Sequence, residues 1–438
     1  MIYFCKRITL ITKITVNLMT RKLVLSLAVL CGMVCAKAQN SEKYLGADIS
    51  MLTAYETISD PGHQVTYKDI DGTQSDVLSL LKKYGMNSMR VRLFVNPTME
   101  KAVIQNIDYV KKLGKRIKDA GFSFVLDFHY SDTWADPVAQ TVPAAWSGLS
   151  VDEYTEKLYS YTKEVLTEFV NDGVVPDMIQ TGNEISYGMM YSKSSTLFVD
   201  YSSDKNWDKF AAMLKSAGKA CREVCPDAKI ILHTERVPQP LNCAKFANYM
   251  NQYEVDYDVF GLSYYPMYHG NLSYLETALK QVESATDKPI MIMETGYNSA
   301  YYPTDAKFDC QTIWPATESG QSLFIEQLVA KLNTHDRVKG LYYWFPEENE
   351  SAELGWTALL DGWTNRGLFN NMTGNAVDAI TKFAAFNPSA TAVQNVPESS
   401  EISETERYDI LGRKIKNPTK GINIIKMSDN SYKKILVK

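Results

Sequence analysis

Eight short β-like runs alternate with longer amphipathic stretches between residues 44 and 386, and this alternation limits the possible folds more than any other feature. The runs are Tyr44–Ser50, Asn87–Phe94, Ser123–His129, Asp177–Thr181, Lys229–Thr234, Tyr257–Tyr264, Pro289–Glu294 and Lys339–Phe345. Helical periodicity fills Asp76–Tyr84, Asn106–Ala120, Glu153–Asn171, Trp207–Val224, Ser319–Leu332 and Ala376–Phe386. Gly85, Gly121 and Gly173 stand where helices should end. Parallel strands need long crossovers, and a helix is the usual one. Eight such units predict an α/β fold, a (β/α)8 TIM barrel over residues 39–388. A doubly wound open sheet uses the same units, but neither G-x-G-x-x-G nor a P-loop occurs.

In such barrels the chemistry lies at the C-terminal ends of the strands. Strand four ends in Gln180-Thr181-Gly182-Asn183-Glu184, and strand seven in Met293-Glu294-Thr295-Gly296-Tyr297. Two carboxylates on separate strands, facing one cleft, suit hydrolysis of a glycosidic bond. One must be neutral to protonate the departing oxygen, and the other ionised to attack the anomeric carbon. Asn183 stands where it could hold the sugar 2-hydroxyl. A single loop glutamate is usually only an exposed charge. Two at the right strand ends, one of them after Asn, favour the chemical reading.

The residues also resemble a known family. GADIS (46–50), RVRLFVNP (90–97), LDFHYSDTWADP (126–137), QTGNEI (180–185), GLSYYP (261–266) and METGY (293–297) are similar to glycoside hydrolase family 53, the endo-β-1,4-galactanases. WPATESGQ (314–321) and GWTNRGLF (362–369) extend the likeness, which spans the whole barrel. The resemblance implies retaining endo-hydrolysis of β-1,4-galactan or arabinogalactan, with Glu184 as acid/base and Glu294 as nucleophile. It also gives roles to other positions. Arg90 and Arg92 share one face of strand two, where an arginine would pair with Glu294 and lower its pKa. Asp127, His129 and Asp132 around the end of strand three, and Tyr264 after strand six, are expected to bind sugar hydroxyls or orient the nucleophile. Trp134, Trp344 and Trp363 are candidate stacking platforms, and His233 either lines the cleft or is a satisfied core histidine, with the second reading slightly favoured. Family members often carry calcium in the loop after strand seven. Here only Asp305 and Asp309 supply carboxylates before Trp314, so neither a metal nor a cofactor is expected. The rivals are another retaining endo-β-glycanase of the same clan, or a surface glycan-binding protein without catalysis.

The rest of the chain bears on where it acts. A net charge of -5, with both signs interspersed, leaves no basic face for nucleic acid. Arg21-Lys22, the apolar run Leu23–Val34 and Ala36-Lys37-Ala38 read as a signal peptide over residues 1–38, with Met19 a possible true start. Export leaves Cys221, Cys225, Cys243 and Cys310, whose pairing sequence does not fix and which read as structural. Residues 389–406 are small, polar and acidic, as a linker is. The β-rich tail, residues 407–438, resembles the sorting domain of the Bacteroidetes type IX secretion system in YDILGRKI, KGINIIK and KKILVK. That resemblance implies a secretion-machinery partner and an exported, secreted or surface location. The chain is expected to act as a monomer.

Overall fold

The computed structural model describes residues 43–58, 63–191, 197–350, 363–387, 404–409, 413–427 and 432–437. Eight parallel strands close into a barrel in chain order: β1 Tyr44–Asp48, β2 Ser88–Leu93, β3 Ser123–Phe128, β4 Met178–Thr181, β5 Lys229–Thr234, β6 Val259–Tyr264, β7 Ile290–Thr295 and β8 Val338–Trp344. Each strand leads to a helix: α1 Val77–Lys83, α2 Ile107–Asp119, α3 Val151–Asn171, α4 Trp207–Val224, α5 Pro240–Gln252, α6 Leu272–Ala285, α7 Glu318–Leu332 and α8 Ala379–Lys382. The expected (β/α)8 barrel is therefore the fold found. It is closed by β8 against β1, with Tyr44 opposite Gly340 and Asp48 opposite Trp344.

Local chemistry sets the helix ends. The side chains of Asp76, Asn106 and Thr317 accept hydrogen bonds from the backbone N–H of Ser79, Tyr109 and Gly320. Ser150 and Glu153 form a reciprocal capping box at the start of α3. Gly85, Gly121 and Gly173 have φ of 91°, 76° and 72° and terminate α1, α2 and α3, where the sequence pattern put them.

Inward-facing side chains are spaced two apart along each strand. At the lower level Val125, Met178, Ile231, Val259, Met291, Met293 and Tyr342 fill the barrel with an apolar cluster. Two residues further along the same strands come Asp127, Gln180 and His233, all fully buried. The barrel is thus packed at one end and polar at the other. Each lower-layer side chain contributes about 1.5–3 kcal/mol by its burial, which helps to offset the cost of enclosing the polar layer. Close approach of the strands is visible at Gly46, where a Cβ would lie 2.3 Å from the Ser88 carbonyl oxygen.

The tail forms a separate antiparallel sheet of β9 Glu404–Asp409, β10 Gly421–Met427 and β11 Tyr432–Val437, with β10 in the middle. β9 starts ahead of the expected boundary at 407. The leader expected at 1–38 and most of the expected linker lie outside the described residues. Cys221, Cys225, Cys243 and Cys310 are buried free thiols, with no disulfide among them. Among the described residues no helix is long and apolar enough to cross a membrane.

Candidate active site

The polar layer converges on Arg90, whose guanidinium is 1% exposed. It donates to Asp48 at 2.8 Å and to Asp127 at 2.7 Å, and pairs with Glu294 at 3.0 Å. It also donates to Gln180 at 3.2 Å and to Asn183 at 2.8 Å. One buried cation therefore serves three carboxylates. Burial works against the Arg90 charge, but Asp127, Glu294 and Asp48 outweigh it and raise its pKa. Burial likewise pushes the Asp127 carboxyl up, yet Arg90 and His129 hold it below its usual range.

Glu294 has the opposite balance. Burial pushes its carboxyl up to about 7, against the pull of Arg90 and of the Tyr265 hydroxyl and with the help of Asp48. The expectation that an arginine would lower this pKa is right about the partner and wrong about the net sign. Arg90 is shared with Asp48 and Asp127, so its charge cannot cancel the desolvation of a third carboxylate. Two irregularities bracket Glu294. The β6–β7 register shifts at Leu262/Ser263 and the β7–β8 register at Ile292/Thr295, so the chain leaves strict alternation where its carboxylate enters the mouth.

Across the mouth Glu184 sits on a left-handed backbone, φ 47°, an uncommon conformation for a residue with a side chain. The turn before it needs Gly182, at φ 103°, where a Cβ would meet Ile185 Cγ2 at 2.5 Å and Met189 Sδ at 2.9 Å. Burial, then the charges of Glu294 and Glu235, raise the Glu184 carboxyl well above the ordinary range, while a hydrogen bond with Ser263 opposes them. Both carboxyls hold protons more tightly than in water, but among the described residues only Glu294 has a cation beside it.

Asn183 is anchored on both sides. Its Oδ1 accepts from Arg90 and from Gln180 at 3.2 Å, and its Nδ2 donates to the Ala135 carbonyl at 2.8 Å. His233 is fully buried, with Nδ1 3.0 Å from Asn183 Oδ1 and Nε2 2.9 Å from Ser263 Oγ. It supports Asn183 and does not line the cavity.

A cavity of about 990 Å³ opens over these groups and is bordered by Asn183, Glu184 and Glu294. Trp344 forms part of its wall, with Trp134 and Trp363 edge-on to it at 6.1 and 5.3 Å between ring centroids. Arg92 borders the cavity too, but its guanidinium stacks 4.1 Å from the Trp134 ring centre and approaches Asp48 only to 3.7 Å. His129 also reaches the cavity; its Nδ1 accepts from Ala135 N–H at 2.9 Å and its Nε2 lies 3.1 Å from Asp127.

Three expected positions lie elsewhere. Asp127 is fully buried beneath the cavity and acts on it through Arg90, His129 and Gln180. Asp132 accepts from the backbone N–H of Asn96 and Ala144, tying two loops together away from the cavity wall. Tyr264 is fully buried outside the barrel mouth, where its hydroxyl donates to the Gly270 carbonyl at 2.9 Å. Its neighbour Tyr265 faces the mouth instead and donates to Glu294 Oε2 at 2.9 Å. Glu235, Arg236, Tyr268 and His269 are further cavity residues that the motif reading missed. Alternation contained the signal: the parity that turns His233 and Ser263 inward also turns Glu235 and Tyr265 inward. Among the described residues no group of three or more His, Cys, Asp or Glu side chains is arranged to hold a metal ion.

Comparison with known proteins places the chain among glycoside hydrolases. The sequence model for glycosyl hydrolase family 53 matches residues 44–383. The arabinogalactan endo-β-1,4-galactanase A of Aspergillus niger is 32% identical over 322 residues, covering 71% of this chain and 87% of that protein. The endo-β-1,4-galactanase of Bacillus subtilis is 30% identical over 349 residues, covering 75% and 77%. Among solved structures, a family 53 catalytic domain from Ignisphaera aggregans superposes with a TM-score of 0.69 at 27% identity, covering 80% of this chain and 97% of that one.

Proposed function

Because the chain belongs to glycosyl hydrolase family 53, and is thus a glycoside hydrolase, we propose that it cuts β-1,4-galactosidic linkages within (arabino)galactan and retains anomeric configuration. Glu294 attacks the anomeric carbon, the glycosidic bond breaks, and Glu184 gives its proton to the departing oxygen. Water then enters, Glu184 takes back a proton, and the ester to Glu294 is hydrolysed. The observation that carries this reading is the difference between the two carboxyls. Glu294 is paired with Arg90 and Tyr265 and gives up its proton first. Glu184 has no cation paired with it among the described residues and keeps its proton longer. With the proton shared in that order, one carboxylate can attack while the other donates. Asn183, set by Arg90 and Ala135, is the group proposed to hold the 2-hydroxyl, and Trp344 the ring under the sugar.

The test is reducing-sugar release from unbranched β-1,4-galactan by the wild type beside Glu294→Ala, with the first-formed anomer read by proton NMR. Release that collapses in the variant, with a β-anomer formed first, supports the proposal. Release only from another β-glycan would discard the substrate, and an α-anomer first would discard retention.

We also propose that the chain is exported. Residues 1–38 would serve as leader and 407–438 as sorting segment, with the mature protein starting near Gln39. N-terminal sequencing of secreted protein tests the leader, and retention of a chain lacking 407–438 tests the tail.

A further inference from the structure

Glu184 follows β4 and Glu294 lies on β7, and these positions divide the barrel mouth into two arcs. The arc through β8, β1, β2 and β3 holds the arginine cluster and all three tryptophans of the cavity, Trp134, Trp344 and Trp363. The shorter arc, through β5 and β6, holds Glu235, Arg236 and His269, to which nothing above gives a task.

Glu235 and Arg236 form a built pair with open valences, and His269 lines the cavity with them. Glu235 is 7% exposed; its Oε1 accepts from Ser186 Oγ at 2.7 Å, and its buried Oε2 has no hydrogen-bond partner among the described residues. Arg236, with a side chain 11% exposed, lies over the Tyr187 ring and has Nε 3.5 Å from Glu235 Oε1. Its buried Nε and Nη1 make no hydrogen bond among the described residues. His269 Nδ1 accepts from the Tyr265 N–H at 3.1 Å, so the ring proton stays on Nε2. Burial and the Arg236 charge hold that ring near pKa 3, hence neutral.

A buried acceptor and a buried donor pair left unfilled are costly, unless a ligand completes them. A carboxylate beside a guanidinium matches two adjacent hydroxyls, one donating to the acid and the other accepting from the base. The internal sugar of a β-1,4-linked hexan offers one such pair, the free O2 and O3. Glu235 accepts from Ser186, two residues beyond Glu184, the group proposed to protonate the leaving oxygen, and both glutamates border the one cavity, so this arc adjoins the leaving side.

We propose that Glu235 and Arg236, with His269 in the wall beside them, form the subsite for the sugar on the leaving side of the scissile bond, and that the acid–guanidinium pair grips its O2/O3 diol. A branch on either oxygen would then leave the buried pair unsatisfied, and cleavage is confined to bonds whose leaving-side sugar is unsubstituted there. This inference rests on the retaining cleavage of galactan proposed above.

The test compares unbranched galactan with a 2,4-dinitrophenyl β-galactobioside, which puts no sugar in that subsite. For Glu235→Gln and Arg236→Met, kcat/KM on the polymer should fall roughly ten- to a hundredfold further than on the aryl glycoside. Equal losses on both substrates, or no loss on either, overturn the assignment. Mass-spectrometric sequencing of wild-type products from arabinose-branched galactan gives a second readout. Every new non-reducing terminal sugar should be unbranched, and a branched one refutes the diol grip. A wild type inactive on galactan but active on another β-glycan would reject the substrate alone, since the same pair of assays on that glycan still judges the subsite.

Discussion

Replacing Glu294 with Gln should abolish hydrolysis and, at neutral pH, make the protein more stable. The carboxyl is raised from 4.5 to about 7 in the folded chain. At about 1.4 kcal/mol for each tenfold change in proton affinity, that is a penalty of about 3 kcal/mol. Its sign follows from linkage: between pH 4.5 and about 7 the folded state binds a proton that the unfolded state releases, so stability falls as pH rises through that window. Below 4.5 both states are protonated and no penalty remains. Gln keeps an acceptor for Arg90 and Tyr265 without the charge, while Asp48 and Asp127 continue to balance Arg90. The variant should therefore match the wild type near pH 4 and exceed it by about 3 kcal/mol at pH 7.5. For a domain of this size that is a rise in Tm of roughly 4 °C. Differential scanning calorimetry at the two pH values reads it directly. A gain of equal size at both pH values, or a loss at pH 7.5, would refute the argument that Glu294 is a desolvated and only partly compensated charge.

Other substitutions probe the rest of the site. Tyr265→Phe removes a hydrogen bond that favours the Glu294 carboxylate, so the acid limb of kcat/KM, expected near pH 7, should move to higher pH with a roughly tenfold loss of kcat. An unmoved limb in the pH–rate profile would count against that role. Glu184→Gln should lower kcat/KM on galactan by roughly 10²–10⁴ while sparing the first step on a dinitrophenyl galactobioside, seen as a burst of dinitrophenolate. Gly182→Ala forces a side chain into φ 103° against Ile185 and should cost about 1–3 kcal/mol in thermal unfolding, with activity lost as Glu184 is displaced. A stable and fully active Gly182→Ala would show that the turn does not hold the acid in place.

The barrel was legible because its signals are local. Period-two and period-3.6 patterns repeat eight times, capping residues stand ahead of helices such as α2 and α3, and glycines follow α1, α2 and α3. The two glutamates were legible for a different reason, since the ends of strands four and seven are fixed once the strands are counted. Side-chain direction was harder to read. A motif such as GLSYYP marks Tyr264 and Tyr265 together, and only the parity set by Ser263 separates the one packed in the core from the one bonded to Glu294. Asp127 and Asp132 share one motif yet do different work, because one precedes the strand end and the other lies in the loop beyond it.

The electrostatics could not be read from residue types alone. Arginine beside glutamate suggests a lowered pKa, but the sign depends on how many acids share that arginine and how little water reaches them. Arg90 meets Asp48, Asp127 and Glu294 in one buried cluster, so the single positive charge is divided. Asp127, which also has His129, stays low, whereas Glu294, with only a tyrosine hydroxyl besides, rises. That division is useful for the proposed chemistry. A fully compensated carboxylate would be a poor nucleophile, held to its cation and slow to give up its charge to a forming bond. One kept partly unsatisfied by its neighbours stands closer in free energy to the neutral ester it must become.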